Sequence, residues 1–177
     1  MLALRKVIAM LLAILAQQAA EQKDFKPLGE ISGTDTAIEQ RMVTMATTKE
    51  EFAQLWRRHK EIFGAPPNLS GTTVVEEQIP TVDFSKNVVV AYFAGQTNGI
   101  GSYRVVEVDT KGKTLAVTIA PVPIQTEVSI TAKSFGMWVF PKPKRTVELI
   151  LREWDRQGRA SDRTIAKFDP PKTAKSG

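Results

Sequence analysis

Residues 79–108 read IPTVDFSKNVVVAYFAGQTNGIGSYRVVEV, and this run decides what the rest of the chain can build. Val88-Val89-Val90-Ala91-Tyr92-Phe93 is apolar at every position, the pattern of a strand covered on both faces rather than one with a wet face. Asp83-Phe84-Ser85-Lys86-Asn87 forms the entry turn, because the Asp83 and Ser85 side chains can accept hydrogen bonds from nearby backbone N–H groups. Gly95, Gly99 and Gly101 then fall in a connection to a second strand over Ser102–Asp109. A phosphate cradle needs a helix N-terminus directly after its glycines, whereas here a strand follows. The glycines are expected to permit positive φ and close backbone approach in a wide hairpin connection.

Toward the C-terminus, Thr110-Lys111-Gly112-Lys113 reads as a tight turn. Leu115–Ala120 alternates cleanly, with Leu115, Val117 and Ile119 inward. These three strands predict an antiparallel meander, ended by Pro121-Val122-Pro123 because proline cannot continue a ladder. Two more strands are predicted at Phe135–Phe140 and Arg145–Arg152, separated by Pro141-Lys142-Pro143-Lys144. In the first, Trp138 and Phe140 point away from Phe135, Met137 and Val139; in the second, Val147, Leu149 and Leu151 alternate with Glu148, Ile150 and Arg152. Residues 155–177 contain Gly158, Pro170, Pro171 and little apolar weight, so they predict a basic, mostly disordered tail with Thr164–Phe168 able to dock.

Toward the N-terminus lies a long connection, Leu69–Thr81, with a short extended piece at Thr72–Val75. Before it, a helix is expected over Thr48–Ile62. Thr47 and Thr48 each have a glutamate three residues on, the capping-box arrangement, and the acids favour the positive end of the helix dipole. Phe52, Leu55, Trp56, His59 and Phe63 fall at helical spacing and form a stripe for packing on a sheet. A first strand is placed near Ile38–Ala46. Residues 21–37 are polar and predict a flexible leader. The fold class is α+β: a mostly antiparallel sheet of five to six strands with one main helix packed on a face, over residues 38–154.

Residues 1–20 read as a signal peptide, with Arg5 and Lys6 before an apolar run from Val7 to Ala16 and small residues at Ala16, Ala19 and Ala20. The run falls short of the about 20 apolar residues a membrane span needs. Cleavage would leave an extracytoplasmic protein, periplasmic or secreted, with no membrane span. Neither Gln18 nor Ile14 is the small residue ideally found two positions before the cut, which leaves an uncleaved anchor open. Removing the segment lowers the formal charge from +5 to +3, and residues 155–177 carry that whole excess with six basic and three acidic groups. No basic stripe interleaved with aromatics points to nucleic acid.

The chain has no cysteine and one histidine, His59, which excludes thiolate chemistry and a histidine metal cage. His59 reads as a partly exposed helix residue, since no nucleophile-elbow sequence accompanies it. The pairs Glu50-Glu51 and Glu76-Glu77 are adjacent in sequence and therefore do not face each other as an acid/base dyad. Asn68-Leu69-Ser70 is a glycosylation acceptor in a host that modifies such sites. No catalytic residue, metal ligand or cofactor is expected.

Leu55-Trp56, Val82-Asp83-Phe84-Ser85, the Gly95 strand end and Tyr103 together resemble the C-terminal domain of the bacterial protease-complex subunit family named for PrcB. The likeness covers roughly residues 47–151. Two departures stand out: Gly99-Ile100-Gly101-Ser102-Tyr103 is longer than the family's glycine pair before tyrosine, and Phe135-Gly136-Met137-Trp138 replaces its Pro-Tyr start. The resemblance implies an extracytoplasmic, non-catalytic domain that in some members associates with a secreted protease. Two functional classes follow. One is a binding or assembly module for a protein partner, with Gln96, Asn98 and Tyr103 as candidate contacts because loops on a rigid sheet are where binding groups are usually placed. The other is a small-ligand-binding or hydrolytic domain using residues 95–103.

Overall fold

The computed structural model describes residues 25–60, 79–111, 113–125 and 130–171. The expected signal peptide, the extended piece at 72–75, the glycosylation acceptor, the Glu76-Glu77 pair and the helix end at Ile62 with Phe63 lie outside them. The described elements are β1 Gly29–Gly33, β2 Met42–Ala46, α1 Lys49–Lys60, β3 Asn87–Asn98, β4 Ile100–Lys111, β5 Thr114–Pro123, β6 Thr131–Pro141, β7 Thr146–Trp154 and β8 Ala160–Phe168.

The strands form two four-stranded sheets, in the orders β1-β6-β3-β2 and β4-β5-β7-β8, rather than the single sheet of five to six strands that the sequence predicts. Val88, Val90, Tyr92 and Ala94 of β3, with Trp138 and Phe140 of β6, pack against Leu115, Val117 and Ile119 of β5 and Val147, Leu149 and Leu151 of β7. On the opposite face, Val89, Ala91 and Phe93 join Phe135 and Met137 beneath Phe52, Leu55 and Trp56 of α1. The molecule is therefore mostly β, with a helix, a first sheet and a second sheet in successive layers. The centre of the first sheet is covered on both faces, which is why β3 carries only aliphatic and aromatic residues from Val88 to Ala94.

The expected three-strand meander does not form. Only Gly99 separates β3 from β4, yet the chain steps there from one sheet to the other, and β3 pairs with β2 and β6 instead. Strand β5 continues through Pro121 and Pro123 beside β4 alone, because its pairing with β7 ends at Ile119↔Leu151. Strands β5 and β7 are parallel neighbours, and parallel neighbours require a crossover. That crossover passes through β6 in the first sheet. Since β6 is apolar on both faces, it is stable only where both faces are covered.

The described parts of two segments expected to be loose contribute strands. Phe25 is buried and stacks on Phe140 at 5.1 Å, and β1 adds to the free edge of β6. Strand β8 pairs with β7 along its length and contributes Ile165, Ala166 and Phe168 to the rim of the core. Its other positions, Ala160 apart, are polar, as suits an edge strand, where charge discourages pairing with foreign strands. Across the outer face of the second sheet, Arg152 donates to both oxygens of Asp162 at 2.8 Å and to Glu107 at 3.0 Å.

Local signals in the sequence are realised closely. Thr48 Oγ1 accepts from the Glu51 N–H at 3.2 Å, while the Glu51 carboxylate accepts from the Thr47 and Thr48 N–H groups at 2.6 and 3.2 Å. This is the reciprocal capping box. Asp83 Oδ1 accepts from the Ser85 N–H and hydroxyl at 3.0 and 2.5 Å, closing the turn before β3.

Candidate functional site

Strand directions collect several features at one end of the sandwich: the end of β3, the start of β4, the ends of β5 and β7, and the starts of β2, β6 and β8. The step between the sheets is pinned there. Thr97 Oγ1 and Ser134 Oγ lie 2.8 Å apart, and Ser134 Oγ donates to the Ile100 carbonyl. The Gly99 N–H donates to the Ile130 carbonyl at 2.9 Å, and the Gly99 carbonyl accepts from the Ile124 N–H at 2.8 Å. The expected 95–103 loop is thus two strand ends around one residue.

The three candidate contact residues part company in this geometry. Gln96 and Asn98 are exposed, with Asn98 Oδ1 accepting from the Thr131 hydroxyl at 3.0 Å. Tyr103 is not a surface residue. It is 4% exposed and meets Tyr92 edge to face at 4.7 Å, because the bulge-adjusted register of β4 turns it to the same side as the inward residues of β5. His59 also departs from expectation: it is 1% exposed, lying among Trp56, Phe93 and Phe135 with ring centroids at 5.3, 6.0 and 4.4 Å.

The same end carries a hairpin that reading the sequence as a tail conceals. Asp155 Oδ1 accepts from the Gln157 and Arg159 N–H groups at 2.8 and 3.0 Å, and Oδ2 from Arg159 Nε at 2.7 Å. Gly158 takes φ of 76° to close the turn. These bonds hold the Asp155 carboxyl below its usual range, the Arg159 N–H contributing most. Beside this turn, Trp154 is 49% exposed, with Arg156 and Gln157 exposed next to it. The signal for the hairpin was available: Asp155 and Gly158 are turn residues between two strand-compatible runs.

Behind the hairpin, Tyr92 and Tyr103 bring two hydroxyls into an otherwise apolar core. The Tyr92 phenol is pushed up by burial, a shift that Arg41 opposes. Tyr103 is likewise raised by burial and then by Tyr92, again opposed by Arg41. The hydroxyls perturb each other, but the Tyr92 hydroxyl makes no hydrogen bond. Glu153 and Arg163, 3.7 Å apart, also act on the Tyr92 phenol from the rim. Among the described residues, no group of three or more histidine, aspartate or glutamate side chains is placed to hold a metal, and no helix is long and apolar enough to cross a membrane.

No family model, curated protein or solved structure matches this chain.

Proposed function

We propose that the protein is a non-catalytic binding module working outside the cytoplasm, and that it holds a protein partner at the end of the sandwich bearing the β7–β8 hairpin. The observation that carries this reading is Trp154, a half-exposed indole on a turn locked by Asp155 and flanked by Arg156. Tryptophan and arginine on a rigid support are the residue types in which interface binding energy concentrates. A rigid support also loses little entropy on association. Gln96 and Asn98, at the end of β3, supply polar rim groups. The extracytoplasmic address rests on residues 1–20, and the likeness to the PrcB family makes a secreted protease the partner class to seek.

The test is affinity capture from the native cell envelope with the wild-type chain and a Trp154→Ala/Arg156→Ala variant. Loss of a specific partner in the variant, with the melting temperature unchanged, supports the reading. Equal capture by both chains removes the hairpin from the interface. Parallel capture with Gln96→Ala/Asn98→Ala shows whether the β3 end belongs to the same surface. N-terminal sequencing of the recovered protein decides the address, for which a start near Gln17 or Glu21 is expected.

A further inference from the structure

We infer that the rim between β2 and β8 is a carboxylate-binding site, in which Arg41 and Arg163 hold the anion over the hydroxyls of Tyr92 and Tyr103. The inference goes beyond the binding module proposed above and does not depend on the hairpin. Strands β2 and β8 are edges of different sheets that approach each other without pairing, so side chains alone close this side of the core. Arg41 continues the alternation of the inward-packed Val43 and Met45. Glu153 continues that of Val147, Leu149 and Leu151, and Arg163 stands opposite Leu151. All three charges therefore lie on the sides of their strands that face between the sheets.

Two buried donors in this core have no hydrogen-bond partner. The Tyr92 hydroxyl and the Trp138 indole N–H belong to fully buried side chains and make no bond to protein. Their side chains start from neighbouring positions, since the Trp138 ring lies over Gly136, where a Cβ would fall 2.3 Å from the indole, and Gly136 is the cross-strand partner of Tyr92. A buried polar group left unbonded is costly, so unbonded donors are uncommon in a settled core. Both phenols remain protonated, since burial raises them, and so offer O–H groups. Guanidinium groups only donate. The lining thus consists of donors and two positive charges against the single carboxylate of Glu153. Its complement is an acceptor-only anion of low charge, and a carboxylate matches the planar fork of arginine.

Such a carboxylate can come from a free organic acid or from the C-terminus of a polypeptide. The experiment titrates the full mature chain with benzoate, with benzamide as its neutral counterpart, and with the peptide Ala-Ala-Phe carrying a free or an amidated terminus. Binding is followed by the indole N–H resonance of Trp138. The expected result is a saturable shift with one or both free acids and none with either amide; benzoate alone points to a free acid, and the peptide alone to a chain terminus. Arg41→Gln and Tyr92→Phe should each weaken binding by about tenfold or more, the scale of one charge-assisted hydrogen bond. Tyr92→Phe should not lower the melting temperature, because it removes an unbonded hydroxyl. Lys142→Gln, a cation bonded to the Phe84 carbonyl at the other end of β6, should change nothing. No shift with either acid, equal shifts with acids and amides, or a loss in Lys142→Gln equal to that in Arg41→Gln would overturn the inference.

Discussion

At Gly95 the backbone turns with φ of 74°, and a Cβ there would lie 2.7 Å from the Glu39 carbonyl oxygen and 3.3 Å from the Arg41 nitrogen. Gly99 has a similar φ of 68°, but a Cβ would meet nothing within 4 Å. The pair separates conformational strain from collision. Gly99→Ala should cost about 1–2 kcal/mol, the penalty for an L-residue in the left-handed region, and Gly95→Ala distinctly more, both read from urea unfolding. Equal costs would mean that the Glu39–Arg41 segment moves aside freely. Tyr103→Ala should destabilise on the scale of a large aromatic core truncation, about 3–5 kcal/mol. An unchanged melting temperature would return Tyr103 to the surface role that its sequence neighbours suggest.

Helix α1 is held at two points that can be tested separately. Thr48→Ala removes the N-cap acceptor and should cost about 1 kcal/mol. Trp56, 7% exposed and against Phe52 at 6.0 Å, should cost about 3–5 kcal/mol when truncated to alanine. Glu51 adds a pH dependence. Its carboxyl is held below the usual range chiefly by the Thr47 N–H, against an opposing effect of burial, so its contribution is present above the unfolded-state pKa and is lost as pH falls through the lower folded value. The gap in melting temperature between wild type and Glu51→Gln should therefore close toward acid pH. A gap that persists there would assign the effect to packing rather than charge. Strand β8 is an element of another kind, stabilised by pairing with β7 and by three apolar contacts at the core rim.

For the whole molecule, the sharpest consequence concerns residues 160–168. A chain ending at Asp155 loses β8, uncovers the flank of β7 and leaves the rim of the core wet, so its cooperative thermal transition should disappear; an unaltered transition would show β8 to be an appendage. Much of this architecture was legible in order along the chain. The capping box at Thr48, the Asp83 turn, the two phases of β6 and the inward residues of β5 and β7 depend on neighbours a few positions away, and their periodicity states the result directly. The partition into two sheets was not legible. An apolar run such as Val88–Ala94 says that both faces are covered but not by what, and a one-residue link at Gly99 looks the same whether the next strand pairs or crosses over. The burial of Tyr103, the ordering of β1 and β8, and the approach of β2 to β8 arise from strands far apart in sequence. Local residue chemistry fixed the elements and their inward faces; which strands became neighbours was decided only when both faces of the first sheet had to be buried at once.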